Sequence, residues 1–130
     1  MILSIRYCPI DIFDEPMPPV TPEAHLPLHP IEFRILMSLV DGPSYGTRIV
    51  EEIEAREAAR TKLYPANLYR RIRDLLSEGL LEEAPAPKGA DPRRTYLRLT
   101  RLGRAVVRAE ARRLQELVAD AIDLDLLPGR

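Results

Sequence analysis

The side chains best suited to a chemical task are arginines and one asparagine that recur within the stretch Leu63 to Gly79. On a helix of 3.6 residues per turn, Asn67, Arg70 and Arg73 share one face. Arginine can bind guanine O6 and N7 with two parallel hydrogen bonds, and asparagine can pair in the same bidentate way with adenine. The alternative is the solvated face of an ordinary amphipathic helix, and the helix alone does not decide between the two.

Other chemistries have less support in the sequence. His25 and His29 are four residues apart, but Pro27 lies between them and disfavours a shared helix, so we expect no metal site. The acids of residues 51–54 stand beside arginines, which is typical of a solvated helix face. The sequence contains no nucleophile beside a base and no glycine-rich phosphate loop. We therefore expect neither an enzyme nor a cofactor.

Length and charge fit one small domain with an uneven surface. The chain has 130 residues, 45% of them hydrophobic, and a net charge of -1. Residues 60–113 nevertheless carry 14 basic and 6 acidic side chains, so one part of the domain is basic and suits a polyanion. The single cysteine, Cys8, and the lack of an apolar run long enough for a bilayer predict a cytoplasmic protein.

The arginine stretch must be positioned by an apolar stripe on its other side. Leu68, Ile72, Leu75 and Leu76 recur at helical spacing and should be buried. Pro65 suits the first turn of this helix, and Gly79 suits its end.

Two shorter helices are expected before it. Residues 1–30 hold 7 of the 13 prolines and predict an extended or disordered arm. A first helix starts at Ile31 and stops at Asp41-Gly42-Pro43. Ser44 suits the N-cap of a second helix. The apolar side chains expected inside are Ile31, Ile35, Leu36, Leu39 and Val40 of the first helix and Ile49, Val50 and Ile53 of the second.

A β-hairpin should follow the arginine helix. Residues 80–84 predict a short strand and residues 85–92 a loop. Residues 93–100 predict a half-buried alternating strand, with Thr95, Leu97 and Leu99 on one face and Tyr96, Arg98 and Thr100 on the other. Three basic side chains lie at or near the hairpin tip, where they could contact phosphates or the minor groove. They are Lys88, Arg93 and Arg94.

Thr100 suits the N-cap of a long last helix, roughly residues 101–122, before a frayed tail at residues 123–130. Alternating spacings of four and three, as in a short coiled coil, predict that this helix dimerises. The predicted dimer residues are Val107, Ala111, Leu114, Val118 and Ala121. Packing of the same residues on the monomer's own core is the alternative.

Together these elements predict a mainly α fold with a small β-hairpin. Helix, turn, helix and arginine-faced helix, followed by a hairpin, is the order of a winged helix-turn-helix domain. The predicted organisation is a proline-rich arm at residues 1–30, the DNA-binding domain at residues 31–100, the dimerisation helix at residues 101–122 and the tail at residues 123–130.

Several sequence blocks, in order, resemble the PadR family of bacterial transcriptional regulators. They are Ile35-Leu36-Met-Ser-Leu39-Val-Asp-Gly42-Pro43-Ser-Tyr-Gly46, Leu63-Tyr-Pro65-Ala-Asn-Leu68-Tyr69-Arg, Glu78-Gly79-Leu80-Leu-Glu82 and Arg93-Arg94-Thr-Tyr96-Leu-Arg-Leu99-Thr100-Arg-Leu-Gly103-Arg. The resemblance implies a homodimeric repressor that binds a palindromic operator and is released by a small-molecule effector near the dimer interface. The sequence departs from the family pattern at Tyr64-Pro65-Ala66-Asn67, where the family usually has Ser-Pro-Gly-Thr.

We therefore expect a sequence-specific regulator of transcription that binds double-stranded DNA. Base edges would be contacted by Asn67, Arg70 and Arg73, and phosphates by Lys62, Tyr69, Arg71, Arg93 and Arg94, with Lys88 at the hairpin tip. A winged-helix module that binds protein and not DNA is the alternative function, because the pI near 6.1 and the altered helix start are unusual for a DNA-binding protein.

Overall fold

The computed structural model of the chain describes residues 21–58 and 68–129. A 3₁₀ turn at Pro22–His25 precedes the helices and strands, which are α1 (Pro30–Ser38), β1 (Ser44–Tyr45), α2 (Gly46–Ala58), α3 (Leu68–Ser77), β2 (Leu81–Ala84), β3 (Tyr96–Leu99) and α4 (Arg101–Asp123). Within these ranges, no helix is both long and apolar enough to cross a bilayer.

The core forms where α1, α2, α3, the sheet and the first turns of α4 meet, as the apolar spacing predicts. The fully buried side chains include Ile35, Leu36, Leu39, Ile49, Leu68, Leu75, Leu80, Leu81 and Val106. Among the positions predicted to be buried, Leu76 is only partly buried, and Val40 is the one that lies largely outside the core. It follows the end of α1 and is 40% exposed, because the helical stripe no longer continues there.

Proline and histidine begin α1. The side chain of His29 accepts a hydrogen bond from the Ile31 N–H at 3.1 Å, and Glu32 accepts one from the His29 N–H at 3.3 Å. This reciprocal arrangement is a capping box, with Pro30 in the first turn where its missing N–H costs nothing. His29 therefore has a structural role that the sequence did not indicate.

The sheet has three strands, not the two that the sequence predicts. Ser44 and Tyr45 form β1, which pairs antiparallel with Leu97 and Tyr96 of β3, so the strand order is β1-β3-β2. The prediction that Ser44 caps the second helix is therefore wrong, and α2 begins at Gly46. Two residues are too few to show the alternation by which a strand is predicted from sequence. Strand β1 is recognised only from its pairing with β3.

Tyr96 does not follow the alternation predicted for a half-buried strand. Tyr96 is buried, whereas Arg98 on the same strand is exposed and pairs with Glu82 across the hairpin. The reason is β1, because the ring of Tyr45 lies against that of Tyr96 and covers it. The paired part of this strand is Tyr96–Leu99, shorter than the predicted residues 93–100.

The predicted C-terminal end of α3 and the predicted start of α4 are confirmed, and they lie side by side. Gly79 has φ of 80°, and the Leu80 N–H donates to the Leu75 carbonyl at 3.0 Å, which closes α3 in a Schellman motif. Thr100 donates its hydroxyl to the Gly79 carbonyl at 2.6 Å and accepts the Gly103 N–H at 2.9 Å. One threonine thus caps α4 and ties it to the end of α3.

The described residues before α1 are not an extended arm. The 3₁₀ turn at Pro22–His25 packs against α4, and Leu28 is buried in the core. The Leu28 N–H donates to the carboxylate of Glu110 at 3.0 Å, and Glu110 itself is only 1% exposed. The earlier part of the predicted arm, residues 1–20, lies outside the described residues.

The segment after α4 is ordered by a helix cap, which differs from a frayed tail. Asp125 has φ of 63°, and the Leu126 N–H donates to the Ala121 carbonyl at 2.9 Å. With the bond from the Asp125 N–H to the Ile122 carbonyl at 3.0 Å, this is again a Schellman motif. Aspartate, rather than glycine, takes the left-handed position.

Candidate nucleic-acid interface

The outer face of α3 presents arginines that the fold leaves free of the core. Leu68, Ile72 and Leu75 are buried on the inner face, whereas Arg70 and Arg73 are exposed on the outer one. Two of the predicted contact residues, Lys62 and Asn67, lie outside the described residues, as does the predicted helix start at Pro65. The described part of α3 therefore offers two exposed guanidinium groups one turn apart.

Arg71 lies on the flank of α3 and faces another helix. Its Nη1 lies 3.5 Å from Oε2 of Glu32 on α1, and the two side chains are 23% and 19% exposed. Glu32 also takes part in the capping box of α1. Arg71 therefore links α3 to α1, and a contact from it to a phosphate would have to compete with Glu32.

Tyr69 lies where α3 approaches the start of α2. Its side chain is 49% exposed, and a Cβ on Gly46 would lie 3.6 Å from the Tyr69 ring. The ring thus packs over the first residue of α2 and leaves its other side open to solvent. This placement puts a hydroxyl-bearing ring beside the N-terminus of α2, where backbone N–H groups have no helical partner.

The loop between β2 and β3, the wing, carries the basic hairpin tip. Lys88 is exposed, and Arg93 donates from Nε and Nη2 to the two carboxylate oxygens of Asp91 at 3.2 and 3.3 Å. These bonds, with the Arg93 backbone N–H, hold the pKa of Asp91 below its ordinary value. The wing tip therefore contains an internal carboxylate, with which any anion that binds Arg93 would have to compete.

Arg94 is held differently from Arg93. Its guanidinium lies 4.1 Å from the centroid of the Tyr45 ring, a cation–π distance, and its Nε lies 3.9 Å from Asp91. Tyr45 in turn meets Tyr96 edge to face, with centroids 5.6 Å apart. Sequence reasoning missed Tyr45, because nothing in the sequence pairs residue 45 with residue 94.

The predicted dimer residues on α4 fall into two groups. Val107 is buried in the monomer's own core, which agrees with the alternative that these residues pack within the monomer. Ala111 and Val118 are exposed, and Leu114 and Ala121 are half-buried. Beyond the core, the chain also exposes leucines that the prediction did not include, which are Leu117 near the end of α4 and Leu124, Leu126 and Leu127 just after it.

The fold is that of the winged-helix class. Helices α1, α2 and α3 pack with the three-stranded sheet, and the wing lies beside α3, which carries the exposed arginines. A PadR family transcription regulator from Clostridium difficile has a similar structure, with a TM-score of 0.61 and 18% identity over 72% of this chain and 96% of that one. A transcriptional regulator from Clostridium thermocellum gives 0.55 and 24% over 72% and 86%. MarR from E. coli, in its apo form, gives 0.54 and 18% over 70% and 61%.

A sequence model of the transcriptional regulator PadR-like family matches residues 35–109, more than half of the chain. The protein therefore belongs to the PadR-like family of transcriptional regulators. This confirms the resemblance found in the sequence and agrees with the expectation that the protein is not an enzyme. A comparison with curated protein sequences found no match.

Proposed function

We propose that the protein is a sequence-specific transcriptional repressor that binds a palindromic operator as a homodimer and is released by a small-molecule effector. The observation that carries the DNA-binding part is the exposed Arg70 and Arg73 on α3, opposite the buried stripe and beside the basic wing. An element that is anchored by its inner face and lined with guanidinium groups on its outer face fits a major groove.

Roles follow from exposure and position. Arg70 and Arg73 contact base edges, together with Asn67 at the helix start predicted from the sequence. Phosphates are bound by Tyr69 beside α2 and by Arg93 and Arg94 of the wing. Lys62, Lys88 and Arg71 add to the basic surface, Arg71 only after its pair with Glu32 opens.

A homodimer is supported by the apolar side chains that are exposed at the end of α4 and just after it. Leu117 and Val118 are 51% and 47% exposed, and Leu124 and Leu126 are 70% and 71% exposed. Large apolar side chains clustered at this exposure mark an interaction surface. A symmetric pair of chains joined there would present two α3 helices, which matches the symmetry of a palindrome.

An effector site is supported by an open groove between α1 and α4. Its walls are mainly apolar, with Leu28, Phe33, Met37 and Leu114 among them, and the ion pair of Glu110 and Arg113 lies at its edge. Apolar walls with a few polar groups suit a small amphipathic ligand. Because the groove borders the exposed part of α4, a ligand there would act on the proposed dimer interface.

Fluorescence anisotropy tests the DNA-binding proposal. The wild type, Arg70→Ala and the control Arg112→Ala, an exposed arginine on α4, are titrated with the DNA upstream of the protein's own gene and with a scrambled duplex. If Arg70 makes a bidentate base contact, Arg70→Ala weakens promoter binding by ~1–3 kcal/mol and scrambled binding much less. Equal losses on both duplexes would make Arg70 a phosphate contact. No wild-type binding to either duplex at low salt would refute the function and favour a protein-binding module.

A further inference from the structure

The wing cation Arg94 rests on an aromatic surface supplied by a distant part of the chain. Its guanidinium lies 4.1 Å from the centroid of the Tyr45 ring, and the Tyr45 ring is itself fixed edge to face against the buried Tyr96. Arginine has a long side chain whose ordering costs conformational entropy when it binds a ligand. A guanidinium already stacked on a fixed ring has lost part of that freedom before DNA arrives.

Backbone pairing fixes the ring relative to the arginine. Tyr45 pairs with Tyr96 in the antiparallel register of β1 and β3, and Arg94 is two residues before Tyr96 on the same chain segment. Tyr45 also immediately precedes Gly46, the first residue of α2. The stacked pair therefore joins the wing to the helix-turn-helix, and it sets where a wing cation lies relative to α2 and α3.

The two wing arginines differ in what remains available to a ligand. Arg93 uses both Nε and Nη2 on the carboxylate of Asp91, whereas Arg94 makes no side-chain hydrogen bond within residues 21–58 and 68–129 and only a 3.9 Å ion pair with Asp91. The Arg94 side chain is 44% exposed. The N–H bonds of a guanidinium lie in its plane and point outward. A ring against its face therefore leaves them able to donate to phosphate oxygens.

We propose that Tyr45 is a positioning residue that holds Arg94, through its ring, in the orientation in which Arg94 donates to a DNA phosphate. This inference rests on the proposed DNA-binding function. Tyr45 acts through the face of its ring, so a phenyl ring is sufficient and an aliphatic side chain is not. Its effect on DNA affinity requires Arg94 and is independent of Arg93.

A double-mutant cycle tests the inference. Tyr45→Phe and Tyr45→Leu are made in the wild type, in Arg94→Ala and in the matched control Arg93→Ala. Anisotropy then measures binding to a random-sequence duplex of about 30 base pairs at several salt concentrations, which suffices because a phosphate contact does not depend on sequence. Thermal melting followed by circular dichroism identifies any variant that is not folded at the titration temperature, and Phe and Leu both keep an apolar side chain against Tyr96.

Tyr45→Leu should weaken binding roughly two- to fivefold in the wild type and in Arg93→Ala, the size expected of an exposed cation–π pair, and should have no further effect in Arg94→Ala. Tyr45→Phe should bind like the wild type. Equal weakening by Leu in all three backgrounds would show a general structural role and overturn the inference. Equal loss with Phe and Leu would assign the effect to the hydroxyl and would also overturn it. Wild-type binding that Leu leaves unchanged refutes only the inference, whereas a wild type that binds no duplex refutes the proposed function as well.

Discussion

Replacing Glu110 with glutamine should destabilise the protein, because it removes one hydrogen bond from a buried carboxylate. Oε1 of Glu110 accepts from Arg113 Nε at 2.6 Å, and Oε2 accepts from Arg113 Nη2 at 2.9 Å and from the Leu28 N–H at 3.0 Å. Glutamine has one oxygen, so it can keep the two bonds of Oε2 and must lose the bond from Nε. The lost bond is charge-assisted, so the expected loss is about 1.5–3 kcal/mol in the free energy of unfolding.

The pH dependence of this loss gives the sharper test. The bonds from Arg113 hold the pKa of Glu110 below its ordinary value of 4.5, against the opposing effect of burial. A carboxylate with a lowered pKa in the folded state stabilises fully above the unfolded pKa, and its contribution disappears as the pH falls through the folded pKa. The difference between wild type and Glu110→Gln should therefore be constant from about pH 6 upward and shrink below about pH 4.

Urea unfolding at a fixed protein concentration measures both quantities, because a dimer would make stability depend on concentration. Glu116→Gln, an exposed acid on the same helix, is the matched control and should change stability little. Equal stability of wild type and Glu110→Gln at pH 7 would show that the bond from Arg113 Nε to Glu110 does not stabilise the fold. A difference that persists unchanged below pH 4 would show that the amide group itself, and not the loss of the ionised carboxylate, is responsible.

Three further predictions concern packing, charge and association. Gly103→Ala should lower the free energy of unfolding in urea by about 1–3 kcal/mol, because the new Cβ would overlap the Leu80 carbonyl. The control Gly46→Ala makes only an ordinary contact and should cost much less. Equal losses in the two variants would show that the overlap at Leu80 is not responsible. Asp91→Asn should raise affinity for random DNA several-fold in anisotropy titrations, and more than Glu83→Gln, an exposed acid on β2, because it frees the wing arginines; equal gains would show a general charge effect. Val118→Asp should shift sedimentation velocity towards a monomer while circular dichroism stays unchanged, and an unaltered sedimentation coefficient would rule out this part of α4 as the dimer surface.

The sequence predicted the features that depend on neighbouring residues, such as helix ends and buried helix faces. Gly79 ends α3 and Thr100 caps α4, since a left-handed glycine and a hydroxyl N-cap need only neighbouring residues. The apolar spacing likewise placed Leu68 and Leu75 in the core. The basic face of α3 follows from the same periodicity.

Interactions between distant residues were beyond this reasoning. Strand β1 exists only because Ser44 and Tyr45 pair with residues 97 and 96 of β3, and the stacking of Arg94 on Tyr45 depends on that pairing. Glu110 binds the Leu28 N–H across 82 residues, although an acid at a helical position usually indicates a solvated face. Such contacts depend on the tertiary fold, so no local sequence pattern predicts them.

Selection from a random pool of duplexes, by wild type and by Arg70→Ala in parallel, tests whether α3 reads the sequence of DNA. If α3 is a recognition helix, the wild type should enrich one inverted-repeat sequence, and Arg70→Ala should relax the preference at a single symmetric position in each half-site. The DNA binding that Arg70→Ala retains should still weaken steeply as the salt concentration rises. A wild-type pool that shows no enriched sequence, together with no retention of duplex at low salt, would show that the protein does not bind DNA through α3.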